Sequence, residues 1–336
     1  MSEMAVAPPG MMSPFIPMLC TERIDRGTPA CDTGDTAHAL GMTSRYHTHQ
    51  QRRKAMPEFE PRYPPARWRL IVATDARAGA ENMALDEAIM EAVASGDSPP
   101  TLRFYQWAPP CLSLGKRQPL DGVDLAACHA DGVDIVRRAT GGWAILHTDE
   151  LTYSVALRPD DPRVSGAILD TYRTLSQGLI AGLRLLGADA EMNPVIPGGA
   201  QNTSAACFEV PSAYEITISG RKLMGSAQTR PAGKVLQHGS LPLHGDIARV
   251  ARYLTFTSEA EQLALATHLR ERATTLGDAL GRPMTFGEAA QATAQGFAEA
   301  LNVELTPGEL SANEVAAARE IHERKVAELT EALQTS

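Results

Sequence analysis

The order in which two periodicities occupy this chain constrains its fold more than any other feature. Short runs of strand character crowd residues 68–157 and 213–243, one long 3.6-residue repeat lies between them, and from about Ile247 the chain turns Ala- and Glu-rich and helical. A doubly wound parallel sheet needs strands and helices in regular alternation, so the pattern predicts an α+β fold instead. That fold is a mixed, largely antiparallel sheet flanked by helices. The long repeat is the clearest helix: Ile168, Tyr172, Leu175, Leu179, Leu183 and Leu186 follow one another at steps of three or four residues, and Gly187 supplies a stop.

The strand runs are WRLIVAT from Trp68, TLRFYQW and CLSLG around Pro109 and Pro110, VDIVRR, WAILH, LTYSVAL, AYEITIS, RKLMGSAQTR and KVLQHGSLPL. Ser219-Gly220 predicts a hairpin turn between the AYEITIS and RKLMGSAQTR runs. A further helix is predicted from about Ala80 to Ala94. Thr285-x-x-Glu288 and Ser311-x-x-Glu314 have capping-box form and predict two helix starts near the C-terminus. Residues 190–206 are rich in turn formers and read as a mobile loop. Residues 1–64 show neither period and end in PRYPPAR. They read as a disordered extension, or as a start assigned too early with Met56 the later candidate.

Composition narrows the function classes. Lys plus Arg number 31 against 40 Asp plus Glu, a formal charge of −9. Nucleic-acid binding needs clustered cations to displace counterions from phosphate, so that class is disfavoured. A local basic patch can still receive an acidic carrier protein. The cysteines, Cys20, Cys31, Cys111, Cys128 and Cys207, are odd in number and scattered, which argues against a disulfide framework or a metal site. No apolar run approaches the roughly 18 to 20 residues of a membrane helix. The first 20 residues lack a basic leader region, and the expected location is the cytoplasm.

Three segments are candidates for chemistry. In Arg137-Arg138-Ala139-Thr140-Gly141-Gly142-Trp143 a basic pair leaves a strand and enters a paired-glycine turn. The arginines can bind phosphate or carboxylate and the backbone N–H groups can surround an oxyanion; the plainer alternative is a β-turn between solvated charges. In Gly220-Arg221-Lys222-Leu223-Met224-Gly225-Ser226-Ala227 a strand lysine precedes three small residues. Either its ammonium points into a cavity, or it is an exposed strand lysine. Cys207, in AACFE, is either a small core hydrophobe, as Cys111 and Cys128 are expected to be, or a thiol made reactive by a nearby lysine. His147 follows the glycine turn and is a candidate for the site, His238 a weaker one, and Asp149 and Glu150 read as solvated turn carboxylates.

Taken in order, NMALDEAI (82–89), LRFYQW, LSLGKRQ (112–118), RRATGGWAILHTDELTYSV (137–155), ACFEVPSAYEI (206–216), GRKLMGSAQTR (220–230) and LQHGSLPL (236–243) resemble the biotin and lipoate protein ligase superfamily. The Cys-Phe-Glu-x-Pro-Ser-x-Tyr-Glu segment is most similar to the cysteine-dependent octanoyltransferases of lipoate assembly. The resemblance implies a catalytic acyltransferase domain over 65–255 with a helical C-terminal subdomain at 256–336. It implies Cys207 as acyl-thioester nucleophile and Lys222 as the group that lowers its pKa. Arg137, Arg138, Thr140, Gly141, Gly142, His147, Gly225, Ser226 and Ala227 would bind substrate. The implied donor is octanoyl-acyl-carrier protein. The implied acceptor is a lysine of a lipoyl-domain protein, the glycine-cleavage H protein or a 2-oxoacid dehydrogenase subunit. Neither metal nor nucleotide is implied. An ATP-dependent lipoate ligase, an amidotransferase between carrier proteins and a non-catalytic acyl-protein-binding module remain alternatives. Trp143 stands where relatives commonly carry a third Gly or an Arg, which bears on acyl chain length.

Overall fold

A computed structural model describes residues 62–193 and 215–334. In chain order the elements are β1 (Ala66–Val72), α1 (Gly79–Ser95), β2 (Thr101–Tyr105), β3 (Cys111–Leu114), α2 (Leu125–Ala130), β4 (Asp134–Arg137), β5 (Ile145–His147), β6 (Glu150–Leu157), α3 (Ile168–Leu185), β7 (Ala190–Met192), β8 (Ile216–Ile218), β9 (Arg221–Thr229), β10 (Val235–Pro242), α4 (Glu259–Arg272), α5 (Leu276–Leu280), α6 (Phe286–Leu301), β11 (Val303–Pro307) and α7 (Ala312–Gln334). Among the described residues the strands form an eight-stranded sheet, ordered β11-β1-β2-β6-β10-β9-β8-β7, and a three-stranded sheet, ordered β4-β3-β5. In the large sheet only the β1 pairings, to β2 and to β11, are parallel; the remaining neighbours run antiparallel. The predicted α+β class with a mixed, largely antiparallel sheet is the observed one.

The two faces of the large sheet differ because side chains alternate along each strand. Leu102 and Phe104 of β2, with Tyr153, Val155 and Leu157 of β6, join Trp68 and the buried stripe of α3 (Leu175, Leu179, Leu183) in the main core, which Phe297 and Leu301 of α6 complete. The opposite face receives α1, through Ile89, Met90 and Val93 against Ile71, Ala156 and Leu236. Helix α7 backs α1 through Ala318 and Ile321. On that same face Arg103, Tyr105, Thr152, Ser154, His238 and Ser240 are buried polar groups, and they require partners there.

The predicted hairpin turn is present: Ser219 and Gly220 both have positive φ, 50° and 73°, as a two-residue turn between β8 and β9 demands. Both capping boxes form, Thr285 with Glu288 and Ser311 with Glu314. The expectations differ from the structure in three places. Tyr63, which falls within the expected extension 1–64, is buried and its hydroxyl shares a 3.0 Å hydrogen bond with Thr174. Ala190–Met192, read as loop, forms β7 by pairing with β8. Residues 256–334, expected to be helical, are mostly so but include a strand, β11, which extends the main sheet by pairing with β1. Residues 1–61 lie outside the described residues. No helix among the described residues is long and apolar enough to cross a membrane.

Candidate active site

Strand register assembles the site from distant sequence. On β2, β6, β10 and β9, Arg103, Ser154, His238 and Ala227 lie in one cross-strand row, and Tyr105, Thr152, Ser240 and Gly225 lie in the next. The small side chains of Gly225 and Ala227 leave space above the sheet, and the three-stranded sheet covers it. A cavity of about 450 Å³ results. Tyr105, Thr152, His238 and Ser240 line one side. Ser113, Ile145 and His147 line another, Gly141, Gly142 and Trp143 form a rim, and Lys222 enters with Gly225, Ser226 and Ala227.

Two buried carboxylates stand behind this wall. Asp86, from α1, accepts hydrogen bonds from Arg103 Nη1 (2.7 Å), Tyr105 Oη (2.8 Å) and Ser154 Oγ (2.7 Å), and its Oδ2 lies 3.5 Å from His238 Nδ1. Burial pushes this carboxyl up, but Arg103, His238 and Ser154 outweigh it and hold it below the usual range. His238 Nε2 shares a 2.7 Å hydrogen bond with Thr140. Burial pushes the His238 imidazole down despite Asp86, so it favours the neutral form.

Glu150 is the second. Its Oε1 meets His147 Nδ1 at 2.8 Å and the Thr152 hydroxyl, and its Oε2 accepts from Ser240 Oγ at 2.6 Å. Burial again pushes the acid up, and these contacts, led by His147, bring it below the ordinary value. His147 Nε2 shares a 2.7 Å hydrogen bond with Ser113 Oγ. The ring stacks on Trp107 with centroids 4.0 Å apart and planes 11° from parallel, while Trp107 Nε1 donates to Thr152 at 2.7 Å. This aromatic and imidazole pair is a rigid wall of the cavity.

Arg138 lines the cavity, yet its guanidinium holds the rim. It donates to Ser113 O (2.8 Å), Ser113 Oγ (3.1 Å), Gly141 O (2.9 Å) and Trp143 O (2.8 Å). Arg137 is outside the cavity and binds the carbonyls of Gly115 (2.9 Å) and Gln118 (2.5 Å). The turn it holds touches the rim: Lys116 N donates to Thr140 O at 2.8 Å, and a Cβ at Gly115 would collide with the Gly142 carbonyl. Thr140 is fully buried one bond behind the wall, against His238.

Lys222 is buried, and its Nζ donates to Glu215 Oε1 at 2.5 Å. Asn193 N donates to Glu215 O at 2.9 Å. The two described residues that flank 194–214 are therefore joined next to Lys222. Cys207 lies outside the described residues. Cys111 and Cys128 are unpaired and buried; burial pushes the Cys111 thiol well up and that of Cys128 to about 11, so both are inert as nucleophiles.

Of the sequence candidates, the cavity gathers Arg138, Gly141, Gly142, His147, Lys222, Gly225, Ser226 and Ala227. Glu150 corrects the expectation of a solvated turn carboxylate: β6 pairs Glu150 with Pro242 of β10 and draws it inside, whereas Asp149 stays half-exposed against Arg249. His238, rated the weaker histidine, lines the wall. Asp86, Arg103, Trp107 and Thr152 were not singled out. Asp86, in NMALDEAI, carried the signal that finds it, an acid on the buried face of an apolar helix. Among the described residues no cluster of three or more His, Cys, Asp or Glu side chains is arranged to hold a metal.

Comparison with known proteins places this geometry. The model of the lipoyl protein ligase A/B catalytic domain matches residues 78–298. The octanoyltransferase LipM of Symbiobacterium thermophilum is 44% identical over 267 residues, covering 77% of this chain and 95% of the relative. That of Clostridioides difficile is 38% identical over 260 residues, 76% and 95% of the two chains. Among solved structures, a bipartite lipoate protein ligase from Thermoplasma acidophilum, studied with its E2 lipoyl domain, superposes with a TM-score of 0.65 and 26% identity over 77% of this chain and 92% of that one. A lipoate-protein ligase A bound with ATP gives 0.61 and 26% over 77% and 95%. The chain belongs to the lipoyl protein ligase A/B catalytic domain family.

Proposed function

We infer that this protein is an octanoyltransferase of lipoate biosynthesis. The observation that carries the reading is the match of 38–44% identity to octanoyltransferases along almost their whole length. The donor is octanoyl-acyl-carrier protein and the acceptor is a lysine of a lipoyl-domain protein. The location is the cytoplasm, in keeping with the unpaired thiols of Cys111 and Cys128.

In this reading the Cys207 thiolate attacks the thioester carbonyl of the donor. The carrier's thiolate leaves and takes up a proton, and an octanoyl-enzyme remains. The acceptor amine then attacks that thioester, loses a proton, and releases Cys207 with an amide formed. The support is positional. Asn193 and Glu215, the described residues on either side of 194–214, are joined by a hydrogen bond beside Lys222, and Cys207 is eight residues before Glu215 in sequence. Lys222 stabilises the thiolate. Because Glu215 shares its ammonium, the pair brings hydrogen-bond donors with little net charge. The rim N–H groups near Gly141 and Gly142 and those of Gly225 and Ser226 receive the oxyanion, an interaction worth on the order of 3 kcal/mol per donor in the barrier. The cavity's aromatic wall and Trp143 take the acyl tail. Arg137, Arg138 and Thr140 serve substrate binding by shaping the rim, and His147 by fixing the wall.

The test is the intact mass after incubation with octanoyl-acyl-carrier protein and no ATP. One hydroxylamine-labile octanoyl group on Cys207, absent in Cys207→Ala, is expected. No adduct, together with lipoate-dependent pyrophosphate release when ATP is supplied, replaces this reading with a ligase, which the ATP-bound relative of similar fold makes the next candidate.

A further inference from the structure

Helix α7 lies outside the cavity, and the motifs of the site do not include it. It is nevertheless tied down at two points. Near its start the buried Glu314 accepts from Arg69 Nη1 (2.8 Å) and Nη2 (2.5 Å) and from Ser98 Oγ (2.9 Å), which fixes the helix to β1. Eleven residues on, a rise of roughly 16 Å, Lys325 is largely buried; its Nζ reaches Glu87 of α1 at 2.5 Å and donates to the carbonyl of Arg137 at 3.2 Å. Arg137 is the last residue of β4. Its own side chain grips the carbonyls of Gly115 and Gln118, and the turn between them holds the rim through Lys116 N and Thr140 O.

We propose that Lys325 is a positioning residue for the rim of the cavity, acting through Arg137. This rests on the reading of the cavity as the acyl-transfer site. The lysine has the two properties such a link needs: a partly buried acid, Glu87, that fixes its ammonium, and a backbone acceptor one residue ahead of Arg138. Arg324 is the internal control. It lies on the same helix and faces the same Glu87 at 3.8 Å, but it is more than half exposed and has no recorded bond to the Arg137 carbonyl. A rim displaced by a fraction of an ångström loses alignment with the thioester while the tail still binds, so the loss falls on kcat and leaves KM in place.

The experiment compares Lys325→Met, Lys325→Arg and Arg324→Ala in the full chain by amide exchange and by steady-state kinetics. Lys325→Met is expected to speed exchange at the amides of Lys116, Gln118 and Arg138, each of which is bonded within this network, and to lower kcat on the order of tenfold with KM unchanged. Lys325→Arg restores both, and Arg324→Ala alters neither. Unchanged exchange in Lys325→Met, or an equal effect from Arg324→Ala, overturns the proposal. Should Lys325→Met fail to fold, Lys325→Gln, whose shorter side chain does not span to the Arg137 carbonyl, is expected to speed exchange at the same amides, and unchanged exchange there overturns the proposal. If the wild type forms no octanoyl-enzyme, the functional reading falls, while the exchange comparison still decides the role of Lys325.

Discussion

Asp86 and Glu150 sit behind the same cavity wall, both buried and both beside a histidine, yet they are compensated by different means. Asp86 faces the Arg103 guanidinium, and both side chains are 1% exposed. Glu150 is held by Ser240, Thr152 and the His147 imidazole, so its compensation depends on hydrogen-bond geometry and not on a guanidinium. The first is a fixed structural charge pair joining α1 to β2. The second is a hydrogen-bonded one, and it holds the His147 ring that stacks on Trp107. A buried acid next to a histidine is thus no single motif: its partners decide whether it serves as a strut or tunes a surface.

The difference can be broken by substitution. Arg103→Met removes the guanidinium partner of the buried Asp86, leaving it only the Tyr105 and Ser154 hydroxyls and His238, and is expected to cost about 3–5 kcal/mol of stability in denaturant unfolding. If it costs no more than Glu150→Gln, the distinction fails. Glu150→Gln should cost about 1–3 kcal/mol and change the emission of Trp107 as its stack with His147 loosens. Ser154→Ala and Ser240→Ala each remove one hydroxyl donor, from Asp86 and Glu150 respectively, and each should cost about 1 kcal/mol. A larger loss for Ser240→Ala would sharpen the contrast, since Glu150 has no guanidinium to fall back on.

The smallest effect at neutral pH is in the slope of stability against pH. His238 has its pKa lowered by burial, so the folded form stays neutral where an unfolded histidine takes up a proton. Stability therefore falls as pH drops through about 6.5, and His238→Asn should flatten that stretch. Asp86 and Glu150 are held below the ordinary carboxylate range. The stability they contribute is present above about pH 4 and lost as pH falls through their folded values. A chain with His238→Asn and an unaltered slope between pH 7 and 5 would show that the proton goes elsewhere.

Much of this architecture was legible from sequence because local signals and tertiary demand agreed. Ser219-Gly220 tolerates the turn it makes, Thr285 and Glu288 cap the helix they start, and the α3 stripe buries Tyr172, Leu175, Leu179 and Leu183. Gly141, Gly142 and Lys222 were found because glycine pairs and a lysine beside small residues are unusual locally. Glu150 was misread because HTDELTY looks like a charged turn, and its burial comes from a strand more than 80 residues later. Arg137 and Arg138 suggested anion binding, but the donors that the structure records for them are directed to the carbonyls and hydroxyl that shape the rim, a use sequence does not reveal. β11 escaped notice because it is short, at a sheet edge, and fully buries only Val303.

The position of β11 also has a temporal consequence. Among the described residues β1 is the first strand made, and β2 follows it within 30 residues, but the other edge of β1 is closed only by Val303–Pro307. During synthesis that edge presents unpaired N–H and C=O groups until more than 200 further residues have left the ribosome. An exposed parallel edge over such a span invites pairing with other chains. A nascent chain stalled ahead of residue 303 therefore carries β1 with one edge still without its partner strand.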